Sequence, residues 1–394
     1  MQNAARHLPS DLAREQRGNT FTKTPLGPLS EHRFSRTIGV SSAIMKVALT
    51  SLLLLAALLG LPTTQHIETP ANALLVLSKT DQMIAIVDPA TLHVINRIPV
   101  GNDPHEVIAS SDGRFAYVSN YGGGAYNTLA VVDLVAQKAL PSIDLGALRG
   151  PHGLIFAGGK VWFTAEAARA IGSYDPATKT VDWIFGTGQN RTHMIYVWPD
   201  LKRIATTNVS AATVSIIEKV VGAGPGRGNP PSNAPPRGTP GGDWNQTVIP
   251  VGRGAEGFDV SPDGKEIWVA NAGDGSVSII DVAAKAVTQT IPAEATSANR
   301  LKFTPNGKFV FVTGQAGADG AAVTVIDAAA RKVMKRITVG RGVEGIQMQP
   351  DGARVLVACS PDNYVAVIDL ATFAFIGRIE AGGNPDGLAW ATRR

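Results

Sequence analysis

The chain of 394 residues has one cysteine, only 6% aromatic residues and only 17% charged residues. A lone thiol excludes an intrachain disulfide and any cysteine-rich redox or zinc motif. No G-x-S-x-G, CxxC, HExxH or CxxCH occurs, so the nucleophile-elbow, dithiol, zincin and haem-attachment readings fall away. Long apolar stretches are also missing. The run Val47–Leu61 (VALTSLLLLAALLGL) is short for a membrane span and follows Met45-Lys46, as in a secretory leader.

That leader sets the domain plan. Residues 1–44 are polar and patternless and are expected to be a disordered or unused extension. Residues 45–73 are expected to be a signal peptide, with Ala71-Asn72-Ala73 as its small-x-small cleavage site and Leu74 as the mature start. Retained, the segment would be a membrane anchor; removed, it places the protein in the periplasm or outside the cell. Residues 1–73 hold seven Lys/Arg and four Asp/Glu, which leaves 29 against 28, so the formal charge of +4 becomes +1. The high pI therefore gives no argument for nucleic acid. Cys359 closes an apolar strand and reads as a buried thiol.

Glycine is abundant, at 42 residues, and it punctuates a repeat. The stretch Pro104–Leu134 reads as two short strands around Ser-Asp-Gly, a Gly-rich loop and a third strand ending in Asp133. The same grammar returns five times before the C-terminus. Asp112-Gly113, Asp263-Gly264, Asn306-Gly307 and Asp351-Gly352 are read as two-residue hairpin turns. A marker near G-x-x-P-x-G precedes each first strand, with its variable residue at His105, His152, His193, Glu256, Asn299, Glu344 and Asp386. The spacings are 47, 41, 63, 43, 45 and 42 residues. The long interval contains Gly222–Gly242, a Gly/Pro tract inside an insertion at 219–246 that reads as a solvated loop.

Four antiparallel strands per repeat make the blade of a propeller. One strand after Asp386 and three strands from Leu74 onward complete a further blade. The expected fold is all-β: a seven-bladed beta-propeller over 74–394, closed by one C-terminal plus three N-terminal strands and expected to be monomeric.

Ser111-Asp112-Gly113, Ala116-Tyr117-Val118-Ser119-Asn120 and Val131-Val132-Asp133 carry a resemblance to the YVTN-type (YncE-like) beta-propeller repeat family. Their echoes are Ser261–Gly264, Trp268–Asn271 and Ile279–Asp281. The resemblance implies the fold over about residues 74–391 and leaves function open, since binding proteins and enzymes share it. One blade, Gly150–Thr180, instead resembles streptogramin (virginiamycin B) lyase-type propellers. Pro151-His152-Gly153, Trp162-Phe163-Thr164 with Glu166, and Ile171-Gly172 with Asp175-Pro176 carry that likeness, which implies a divalent metal among such His and Glu residues.

The variable positions open the innermost strands and form a ring around the channel. Three of the four histidines after residue 73 occupy it, in adjacent blades; the fourth, His93, lies on an outer strand. Polar residues suit a wet channel mouth, and the same ring suits an organic ligand. His105, His152 and His193 with nearby carboxylates also suit one divalent metal ion, Zn or Mg. Arg149, Arg253 and Arg341 stand three residues before ring positions, and Arg191 stands two before His193, so they are read as an anion cradle. Tyr121 and Glu166 are expected at the same face; Asn299, Glu344 and Asp386 complete the candidate ligand contacts.

Two functions follow. The first is an exported binding module for an anionic small molecule, peptide or partner protein. The second is a metal-dependent lactonase- or lyase-type enzyme, with Glu166 or Glu256 as base.

Overall fold

Burial explains why each repeat becomes a blade. The middle strands Phe115–Asn120 and Thr128–Asp133 are covered along most of their length, while the outer strand Lys138–Asp144 is exposed or half-buried throughout. Short runs rich in β-branched residues and covered on both faces belong inside a stack of sheets. The computed structural model describes residues 67–220, 243–315 and 321–393. The expected extension at 1–44, most of the expected signal segment and the Gly222–Gly242 tract lie outside the described residues.

The described residues form seven four-stranded antiparallel sheets. In blade 1 the C-terminal strand Pro385–Thr392 lies innermost, followed by Asn72–Ser78, Met83–Val87 and Val94–Pro99. The remaining six run in sequence order from their inner strands: blade 2 (104–144), blade 3 (151–186), blade 4 (192–250), blade 5 (255–292), blade 6 (296–340) and blade 7 (343–379). Closure pairs Ala73 with Ala391 and Leu75 with Ala389, and the Arg393 N–H donates to the Ala71 carbonyl at 2.7 Å. The closing strand thus begins at Asn72, and Ala73 is fully buried. The expected mature start at Leu74 falls inside it.

Among the described residues the apolar core is divided into seven seams, each between two neighbouring blades. Leu75, Ile86, Val107 and Val118 join blades 1 and 2; Leu74, Ala85, Val365 and Leu388 join blades 7 and 1. Trp268 against Phe303, with ring centroids 5.5 Å apart, marks the seam between blades 5 and 6. No blade buries its own faces alone, so the ring folds as a unit.

The first hairpin of a blade differs from the expected two-residue turn. Gly113, Gly264, Gly307 and Gly352 have positive φ, but the residues before them do not. The Gly113 N–H donates to the Ser110 carbonyl at 2.9 Å, and the Asp112 side chain accepts from the Ser110 hydroxyl and the Arg114 N–H. This is a type I-like turn followed by a left-handed glycine, which spares Asp the strained φ a primed turn would demand. Asp133, Asp281, Asp327 and Asp369 accept backbone N–H bonds in the turns after the third strands.

Asp81, Asp112 and Asp263 make stability pH-dependent. Hydroxyl donors hold Asp112 (from Ser110) and Asp263 (from Ser261) below the usual carboxylate value; the Gly383 N–H and then the Ser78 hydroxyl do so for Asp81. A depressed folded-state pKa adds stability above the unfolded value and loses it as pH falls through the folded one. The urea midpoint should therefore drop between about pH 5 and about pH 3. Asp81→Asn should shrink that drop; an identical profile would remove Asp81 from the account.

Cys359 is fully buried, and burial, then the Asp362 charge, pushes its thiol up to about 12. A thiol reagent at about pH 8 should leave the folded protein unmodified and label about one thiol per chain after unfolding. Rapid labelling of the native state would contradict this placement.

Candidate metal centre at the channel mouth

Every inner strand carries a bulge at the ring position. Pro104 pairs with Asn120 and Val107 with Val118, which leaves His105 and Glu106 opposite Ser119 alone. The same shift recurs between Pro151 and Leu154, Thr192 and Ile195, Ala255 and Phe258, Ala298 and Leu301, and Val343 and Ile346. A bulge leaves an extra residue unpaired and re-aims its side chain. It also frees an N–H, and hydroxyls of the second strand accept it: Glu106 N–H to Ser119, Gly153 N–H to Thr164, Met194 N–H to Thr207 and Arg300 N–H to Thr313. The glycine that ends the marker permits close approach between blades. A Cβ on Gly153 would sit 2.5 Å from the His193 carbonyl oxygen, and one on Gly257 2.8 Å from the Arg300 Cα.

The three ring histidines meet. His105 and His152 have ring centroids 4.9 Å apart, and His152 and His193 only 3.8 Å apart. The Tyr121 ring lies 4.8 Å from His105 and 5.1 Å from His152, and its hydroxyl donates to Glu166 at 2.5 Å. The His193 Nδ1 pairs with the other Glu166 oxygen, and its Nε2 lies 2.7 Å from Glu256. Arg191 spans both carboxylates, at 3.5 Å from Glu166 and 3.8 Å from Glu256.

Electrostatics separates the imidazoles. His152 is 2% exposed, and burial, then the charges of His193 and His105, holds it neutral, far below the ordinary imidazole value. Its buried Nδ1 has no hydrogen-bond partner. Burial also opposes the charge on His193, but Glu256 and Glu166 outweigh it and raise that pKa. Glu256 goes down to about 2: burial resists, and His193, Arg300 and Arg191 prevail.

The opposite wall is ionic as well. Arg300, the residue after Asn299, reaches across the channel to Glu106 at 2.5 Å and to the Met194 sulfur at 2.6 Å. Lys79 pairs with Asp386 at 2.6 Å. Burial and then the Asp386 charge raise the Glu344 pKa. Asp103 lies 3.3 Å from His105 Nδ1. Asp103, Glu106, Glu166, Glu256, Glu344 and Asp386 thus share the channel with Lys79, Arg191 and Arg300, an excess of carboxylates among the described residues.

Of the arginines expected as a cradle, only Arg191 reaches this cluster. Arg253 pairs with Asp274 at 2.7 Å and Arg341 with Asp362 at 2.8 Å, and their side chains are 79% and 70% exposed. Arg149 is exposed and donates to the Ala125 carbonyl at 2.8 Å. Asn299 and Glu344 are half-buried and Asp386 is buried. Sequence reasoning missed Asp103, Glu106, Met194, Arg300 and Lys79. The first four adjoin or precede a marked ring residue, and a bulge exposes two consecutive positions rather than one.

Residues 241–354 match the model of the YNCE-like beta-propeller. No curated protein matches in sequence. Solved structures similar to this chain share its fold at low identity. A functionally unknown protein from Desulfotomaculum acetoxidans is 13% identical, with TM-score 0.63, over 82% of this chain and 100% of its own. A candidate 6-phosphogluconolactonase from Bacteroides uniformis is 16% identical, with TM-score 0.62, over 81% and 99%. Hydrazine synthase of Kuenenia stuttgartiensis is 18% identical, with TM-score 0.60, over 73% and 89%.

Proposed function

We propose that the propeller binds one divalent first-row metal ion at the channel mouth and works as a metal-dependent enzyme of the lactonase or lyase type. The observation that carries this reading is the His152 Nδ1, a buried neutral imidazole nitrogen without a partner. Donor atoms of His152, Glu166 and His193 lie within 4.8 Å of one another. Two nitrogens and a carboxylate suit Zn or a similar ion better than Mg, which prefers oxygen donors.

His152, Glu166 and His193 would hold the ion, with His193 giving up a proton that Glu166 and Glu256 favour in its absence, and the bound ion would supply Lewis-acid polarisation of a substrate carbonyl. Tyr121 and Arg191 fix the Glu166 carboxylate, and Glu256 braces the other edge of the His193 ring. An anionic-ligand module resting on Arg149, Arg253 and Arg341 has less support, because loop partners hold these side chains outside the cluster. Export remains our proposed location, on the leader-like residues 45–61. The lactonase-like neighbour makes lactone hydrolysis the first reaction to assay.

The test is metal analysis of the purified protein, followed by chelation and titration with Zn²⁺. We expect about one ion per chain and a higher thermal midpoint on readdition. Protein that takes up no ion and shows no thermal shift with Zn²⁺, Mn²⁺ or Mg²⁺ overturns the reading.

A further inference from the structure

The histidines that meet at the channel sit on different sheets, and inner strands of neighbouring blades do not pair with each other. Something other than a ladder must set their separation. In the seam between blades 3 and 4 the Thr164 hydroxyl spans the gap between the two inner strands. Thr164 Oγ1 accepts the Gly153 N–H at 2.9 Å, next to His152, and donates to the His193 carbonyl at 2.7 Å, with both bonds buried. Thr164 itself stands two residues before Glu166. One side chain therefore ties together the backbone beside all three donors of the proposed metal site.

The bridge has counterparts that show what it does. Thr207 repeats it between the Met194 N–H and the Glu256 carbonyl, and Thr313 between the Arg300 N–H and the Glu344 carbonyl at 3.0 Å. The equivalent residue is Ala270 in blade 5 and Ala358 in blade 7, where no hydroxyl is available. Blades can therefore stack without the bridge, and it does not serve stacking alone. Gly153 complements it, since any larger residue would force the two bulges apart.

We infer that Thr164 is a positioning residue that sets the distance between His152 and His193 and thereby the affinity of the metal site; this rests on the metal reading above. Removing its hydroxyl leaves a buried N–H and a buried carbonyl unpaired and lets the two bulges drift. Groups that orient ligands from behind typically change metal affinity by about 10- to 100-fold when lost. Thr313 provides an internal comparison, because its loss breaks the same kind of bridge away from the three donors.

Zn²⁺ affinity by competition with a chelating dye, at one pH and alongside the thermal midpoint, tests this in the wild type, Thr164→Val, Thr164→Ser and Thr313→Val. Thr164→Val should weaken Zn²⁺ binding by about tenfold or more, and Thr164→Ser should stay within about twofold of wild type. Thr313→Val should lower the thermal midpoint about as much as Thr164→Val with no change in affinity. If Thr164→Val does not fold, Thr164→Cys replaces it, with a weaker donor and an expected intermediate loss. Unchanged affinity in the Val or Cys variant, or an equal loss in Thr313→Val, overturns the inference. A wild type that binds no Zn²⁺ overturns the metal reading, a separate and distinguishable result.

Discussion

Replacing His152 by alanine should reduce bound divalent metal from about one ion per chain to background and weaken Zn²⁺ affinity by about 100-fold or more. The ring is the central member of the three imidazoles, 3.8 Å from His193 and 4.9 Å from His105. It is also held neutral, the state in which a nitrogen can ligate. Alanine removes that donor and leaves Glu166 and His193 with only each other, Tyr121, Glu256 and Arg191. Without metal the same variant should lose stability modestly, since a buried ring is exchanged for a void but an unpartnered nitrogen also disappears. His93→Ala gives the comparison: that residue is exposed on the periphery, and its loss should leave metal content untouched. Full metal occupancy in His152→Ala would sink the assignment of this ring as a ligand.

Ending the chain after Asn384 should abolish cooperative folding. The removed strand lies innermost in blade 1 and is buried over most of its length, with Leu388, Ala389 and Ala391 filling the two seams that flank that blade. Its loss strips the ladder from Asn72–Ser78, deprives Lys79 of Asp386 and leaves two blade faces wet. Both flanking seams fail together, and a domain has only about 5–15 kcal/mol of net stability to lose. The truncated protein should show weak near-ultraviolet dichroism and no sharp urea transition, whereas the full chain should unfold in one step. A truncated chain with an unchanged midpoint and slope would mean that the ring does not need its closing strand.

The fold was legible because one local rule repeats. The marker glycine is where neighbouring inner strands come closest, and the residue before it sits on the bulge, so the spacing from His105 to Asp386 mapped onto seven channel positions. The histidine cluster followed from that alone. The arginine cradle did not: Arg253 and Arg341 find Asp274 and Asp362, each 21 residues on in the next loop of the same blade, and a count of ring offsets carries no information about such loop-to-loop pairing. Arg300 and Glu106 were invisible for another reason. A strand read with a strict period of two sends alternate residues to the channel, and only the bulge turns the following one inward as well. Thr164 is legible only in retrospect, as the hydroxyl residue near the end of a second strand, a place where Ser119, Thr207 and Thr313 stand too.

Arg300 belongs to blade 6, Glu106 to blade 2 and Met194 to blade 4, so their contact joins three non-adjacent sectors directly through the middle, like a spoke. The aperture cannot widen without separating a buried guanidinium from its carboxylate. Its diameter is thus set before any guest arrives, and little binding energy need be diverted to shaping it.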